Sequence, residues 1–170
     1  VKFNDMGFFA NEFGASIDQP IEIQQIVNYL DSNFLSWAYW VFAQGFDSIQ
    51  TPDAVLIDTS LPATPENIRT SRLELFVKPY ARVIAGTPLS TTYDFGTKIY
   101  TLEYSSSVYG CSIDLNRCWL TEIFVPELSY PDGYNIDVEG GRVVSTDDNK
   151  VLIKRNERSE NVSVTITPIV

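Results

Sequence analysis

Apolar residues follow two different rhythms along this chain, and the change between them divides it. The first rhythm comes in three pieces. Phe8-Phe9-Ala10 is a short apolar run that ends on Asn11-Glu12, with Phe13-Gly14-Ala15-Ser16 directly behind it. This is the pattern of a buried strand that carries one carboxylate to its C-terminal tip and then turns on small residues. Next, Ile21, Ile23, Ile26, Val27 and Leu30 recur mainly at three- and four-residue steps, which predicts a helix with one buried face. Pro20 suits its first turn, with Asp18 or Gln19 as the cap. Phe34 to Phe42 predicts a second strand, with four aromatic residues between Phe34 and Trp40. Strand, helix and strand in so short an order form a βαβ unit, whose strands run parallel and end on the same side.

Residues 43 to 72 read as a connector. Thr51-Pro52, Leu61-Pro62 and Thr64-Pro65-Glu66 are turn and helix-start signals, and Glu66 to Leu73 predicts a short last helix. Gln44, Gly45, Phe46 and Asp47 follow the second strand directly and fall on its C-terminal rim. From residue 82 the rhythm has period two. Tyr100, Leu102 and Tyr104 alternate with Thr101 and Glu103; Tyr134, Ile136 and Val138 with Asn135, Asp137 and Glu139; Val162, Val164 and Ile166 with Ser163, Thr165 and Thr167. Gly140-Gly141 and Asp147-Asp148-Asn149 are the expected hairpin turns. Strands about every ten residues without helices between them predict an antiparallel β-sandwich. The expected domains are therefore 1–72, of α/β type, and 73–170, all β.

The βαβ reading puts Glu12 and the Trp40 end of the second strand on one rim. In a (β/α)8 barrel that rim is the active-site face. A carboxylate there can stabilise or capture a positively charged sugar centre, and a flat indole packs against the apolar face of a pyranose. Side chains alternate along a strand, so Trp37 and Tyr39 point away from Trp40 and are read as packing residues.

Composition narrows the partners. Acids outnumber bases 22 to 12, the net charge is −10, and histidine is absent. Such a chain has no electrostatic footprint for nucleic acid, and its net charge opposes binding to an anionic membrane. Histidine-based triads and most zinc sites are excluded within it, so neither metal nor cofactor is expected. No apolar stretch approaches the roughly 20 residues that span a bilayer. Cys111 and Cys118 bracket six residues between two strand-like runs, a spacing that suits a disulfide staple. Asn161-Val162-Ser163 is a glycosylation sequon on the face opposite Val162 and Val164. Together they point to a secretory or lysosomal route.

Asn11-Glu12-Phe13-Gly14-Ala15 followed by Trp37-Ala38-Tyr39-Trp40 resembles the seventh and eighth strands of clan-A retaining glycosidases. Within them it is most similar to the endoglycoceramidase and glucosylceramidase-like branch of glycoside hydrolase family 5. Lys78-Pro79-Tyr80-Ala81-Arg82-Val83-Ile84-Ala85-Gly86-Thr87-Pro88 resembles the segment that leaves the barrel in that branch. Thr121-Glu122-Ile123-Phe124-Val125-Pro126 and Tyr130-Pro131-Asp132-Gly133-Tyr134 resemble the core of its C-terminal β-domain. The resemblance implies that 1–72 are the last two βα units of a (β/α)8 TIM barrel, with Glu12 as nucleophile and Trp40 lining the sugar subsite. It implies hydrolysis of the sugar–ceramide linkage of glycosphingolipids, with the acid/base carboxylate supplied from outside this sequence. The chain opens on Val1, with neither an initiator methionine nor a signal peptide, and is read as the C-terminal product of a larger precursor. Its expected partner is an N-terminal chain carrying strands one to six. The other open function is a non-catalytic carbohydrate-binding or storage protein that keeps the fold.

Overall fold

The three- and four-residue spacing after Pro20 becomes helix α1, Pro20–Ser32, which buries Ile23, Val27 and Leu30. The computed structural model describes residues 8–14, 20–42, 55–107, 120–147 and 149–169, in two compact units, Val1–Phe76 and Val77–Val170. The boundary falls four residues beyond the expected 72/73, because Leu75 and Phe76 pack with Ile23 and Val27 in the first unit's core. The expected cap of α1 (Asp18 or Gln19) and the rim residues 44–47 lie outside the described residues.

In the first unit, β1 (Phe9–Ala10) and β2 (Ser36–Trp37) run parallel on either side of α1, with Phe9 opposite Ser36 and Ala10 opposite Trp37. This is the βαβ unit read from the sequence, but both strands are shorter than expected. Phe34 and Leu35 do not join the second strand. They close α1 instead: Phe34 takes a left-handed φ of 54°, and the Leu35 amide donates to Leu30 O at 2.9 Å. The expected burial of the first strand is also corrected. Phe8 and Phe9 are 42% and 56% exposed in this chain, where β1 pairs with β2 alone. The last expected helix is split into a 3-10 turn, Pro65–Asn67, and α2, Thr70–Leu73. Among the described residues the unit forms one βαβ layer and no closed barrel.

The second unit is a sandwich of two four-stranded antiparallel sheets. Its strands are β3 (Tyr80–Val83), β4 (Thr87–Tyr93), β5 (Tyr100–Ser105), β6 (Thr121–Phe124), β7 (Tyr134–Glu139), β8 (Gly141–Asp147), β9 (Lys150–Arg155) and β10 (Asn161–Pro168). One sheet has the order β4-β5-β10-β7 and the other β3-β6-β9-β8. Period two explains the core directly. Tyr100, Leu102 and Tyr104 on β5 stand opposite Ile166, Val164 and Val162 on β10, and all six are buried with Ile123, Val151 and Ile153 of the other sheet. The buried Thr121 is satisfied by accepting the Ala85 amide at 3.0 Å.

One expected turn is corrected. Asp147 to Lys150 does close the β8–β9 hairpin, with Asn149 at φ 62°. Gly140-Gly141, in contrast, carries the chain from one sheet to the other, since β7 and β8 belong to different sheets. The glycine pair lies against both: a Cβ on Gly140 would collide with the Asn161 carbonyl of β10, and one on Gly141 would sit 3.0 Å from the Lys154 carbonyl of β9.

The β4–β5 hairpin turns on Asp94, whose Oδ1 accepts the Thr97 amide at 2.6 Å while its carbonyl accepts that of Lys98 at 2.7 Å. The bond from the Thr97 amide holds its carboxyl below the ordinary value of 3.8. A depressed folded-state pKa contributes stability above the unfolded value and loses it as pH falls through the folded one. Thermal stability is thus expected to decline on acidification below about pH 4, less steeply in Asp94→Asn than in the wild type. Identical slopes for the two proteins would remove Asp94 as the source.

Candidate active site

The acid and the indole picked out by the sequence come to the same end of the βαβ unit through backbone hydrogen bonds. Beyond the β1–β2 ladder, the Ala38 amide donates to Ala10 O at 2.8 Å and the Trp40 amide donates to Phe13 O at 2.8 Å. A regular parallel ladder would bring the Trp40 amide to Glu12 O. The offset means that the first strand carries one extra residue across Asn11 to Phe13, as a bulge does, and bulges re-aim side chains beside active sites. Asn11 and Glu12 are both exposed there. Glu12 has no ion pair and no side-chain hydrogen bond among the described residues.

Trp40 is half-buried, and its Nε1–H is buried without an acceptor among the described residues. The Trp40–Val41 peptide is cis. Trp37 and Tyr39 pack against the first unit's core. Trp37 donates its Nε1–H to Asp31 at 2.7 Å and meets Phe13 edge-on at 5.6 Å. Tyr39 stacks on Phe76 at 4.8 Å and meets Phe13 edge-on at 5.8 Å.

Sequence reasoning missed Arg72. It is 7% exposed, donates Nε–H to Tyr39 Oη at 2.7 Å and Nη2–H to Gly14 O at 3.4 Å, and lies 5.7 Å from the Tyr39 ring centroid. Nothing in the pattern flags it, since it falls in the four-residue helix α2. Asn161 is exposed at the start of β10, on the face opposite Val162 and Val164. Cys111 and Cys118 lie outside the described residues. Among the described residues there is no group of three or more metal-ligating side chains, and no helix long and apolar enough to cross a membrane.

The chain is 25% identical over 155 residues to endoglycoceramidase I of Rhodococcus hoagii, a match covering 91% of this chain and 26% of that protein. Its fold matches endo-glycoceramidase II from Rhodococcus sp., solved with a five-membered iminocyclitol, at a TM-score of 0.68 and 23% identity, over 98% of this chain and 34% of that one. It also matches Cryptococcus neoformans sterylglucosidase 1 at a TM-score of 0.71 and 16% identity, over 94% of this chain and 29% of that one. The chain thus spans between 26% and 34% of the length of these relatives. The segment that opens the sandwich and the two motifs around β6 and Tyr130 all lie in residues 78–167, the stretch that matches the family model, and through it the chain belongs to the glycoside hydrolase family 5 C-terminal domain family.

Proposed function

We propose that this chain is the C-terminal part of a retaining β-glycosidase that cleaves the bond between a sugar and the ceramide of a glycosphingolipid. The observation that carries the reading is the union of Glu12 and Trp40 at one end of a parallel βαβ unit, through the Trp40 amide and Phe13 O. Glu12 is the nucleophile. It attacks the anomeric carbon as the ceramide oxygen leaves with a proton from an acid/base carboxylate, and water then hydrolyses the glycosyl ester. The two carboxyl groups of a retaining enzyme stand roughly 5–5.5 Å apart. The second belongs to the preceding part of the barrel, which this chain's N-terminal partner supplies. Support for that partner comes from the apolar surface left open on the first unit: Phe8, Phe9, Ile21, Tyr29, Phe34 and Phe42 are each 42–63% exposed. Support for a lipid aglycone comes from the relatives, whose names join a sugar to ceramide or to sterol.

The same reading places the protein in the secretory pathway, with Cys111 bonded to Cys118 and Asn161 glycosylated. One experiment addresses all of it. The full-length protein is treated with a mechanism-based 2-fluoroglycoside and mapped by mass spectrometry without reduction. The label should sit on Glu12, the two cysteines should be linked, and Asn161 should carry glycan. The 170-residue chain alone should take up no label. A label on another residue removes Glu12 as nucleophile, and a full-length protein that binds glycolipid but takes no label favours the carbohydrate-binding alternative. Free thiols with bare Asn161 place the protein outside the secretory route.

A further inference from the structure

A guanidinium is buried behind the candidate site, and it touches the residues that flank both site side chains. Arg72 Nε–H donates to the hydroxyl of Tyr39, the neighbour of Trp40, and Nη2–H donates to the carbonyl of Gly14, two residues beyond Glu12. These contacts join positions 33 and 58 residues away in the sequence. Burying a cation is unfavourable unless its donors are used, so a 7% exposed arginine at this place holds its acceptors in fixed positions. The acceptors cannot shift freely either. Tyr39 is wedged between Phe13 and Phe76, and Gly14 takes a φ of 110° with the Tyr39 ring so close that a Cβ would collide with it.

The regular ladder below is short. β1 and β2 pair over two residues each, and beyond them two single backbone hydrogen bonds join the chains across the one-residue offset that holds Glu12. The spacing between the acid and the indole is therefore not set by strand pairing alone. We propose that Arg72 is a positioning residue: by clamping Gly14 O and Tyr39 Oη it sets where Glu12 stands relative to Trp40, and so how the sugar meets the nucleophile. The inference rests on the glycosidase reading of Glu12. Lysine cannot replace the guanidinium fully, because a single ammonium lacks the planar fork that reaches two separated acceptors.

The test uses the full-length protein with Arg72→Met, Arg72→Lys and Tyr39→Phe, on a fluorogenic β-glycoside. Active sites are first counted by the burst of aglycone released when a 2-fluoroglycoside labels Glu12. Turnover per labelled site should fall on the order of 10²-fold in Arg72→Met, the scale of a misplacement of about 1 Å. It should fall less in Arg72→Lys and Tyr39→Phe, each of which keeps part of the clamp. A purely structural arginine would lower the melting temperature and the number of labelled sites but leave turnover per site unchanged. That result in Tyr39→Phe and Arg72→Lys overturns the proposal even if Arg72→Met does not fold. A label away from Glu12 in the wild type overturns the nucleophile assignment, and the clamp with it. A label on Glu12 with unchanged turnover per site overturns the clamp alone.

Discussion

Glu12→Gln in the full-length protein is expected to lower kcat on a glycosylceramide by about 10⁴-fold or more, while glycolipid binding and folding persist. The amide keeps the size and hydrogen-bonding reach of the carboxylate, but under the proposed mechanism it cannot form the glycosyl ester or balance positive charge on the sugar ring as the ceramide oxygen departs. Folding should survive because Glu12 is exposed and has neither an ion pair nor a side-chain hydrogen bond among the described residues. A second variant separates the two carboxylate roles. In Glu12→Gly with azide, the small anion fills the vacated side of the ring, attacks the anomeric carbon and expels the aglycone, giving a glycosyl azide of inverted configuration. An azide product of retained configuration would assign Glu12 as the acid/base instead. Wild-type turnover by Glu12→Gln would remove the residue from the chemistry altogether.

Gly140→Ala is expected to destabilise the sandwich by about 3–5 kcal/mol, among the largest effects open to a single methyl group. Two costs coincide there. The residue has φ 72°, which an L side chain rarely adopts, and the added methyl would run into the Asn161 carbonyl of β10. Neither side can yield cheaply. Asn161 begins the strand that pairs with both β5 and β7, and the Gly140 carbonyl accepts the Asn156 amide at 2.9 Å. For a domain of this size each kcal/mol lowers the melting temperature by roughly 4–8 °C. Hydrogen exchange at the amides of Val164 and Leu102, followed in the full-length protein, should report the loss at the centre of that sheet. Gly96→Ala is the control, since the nearest atom to its added methyl is the Asp94 carboxylate at 3.2 Å, and it should change stability by less than about 1 kcal/mol. Equal behaviour of the two variants would show that the crossing at Gly140 tolerates a side chain.

Periodicity along the chain was enough to place the apolar stripe of α1, the inward residues of β5, β7 and β10, and the packing of Trp37 and Tyr39. Each of these depends only on the geometric repeat of a helix or strand, which acts between neighbours in sequence. The candidate acid was legible for the same reason, as a carboxylate between an apolar run and a glycine. Pairing was a different matter. Gly140-Gly141 lies between two period-two runs and has the chemistry of a hairpin turn, yet β7 pairs with β10 and β8 with β9. An apolar face records that a strand is buried but not which strand lies beside it, because main-chain hydrogen bonds are nearly the same for every partner. The length of the second strand was decided outside the strand, by α1, whose last turn captured Phe34 and Leu35. Arg72 shows the same limit at the site. A single arginine in a short helix looks like a solvated charge until the fold brings Gly14 and Tyr39 to it, from 58 and 33 residues away, and removes the water that would otherwise take its donors.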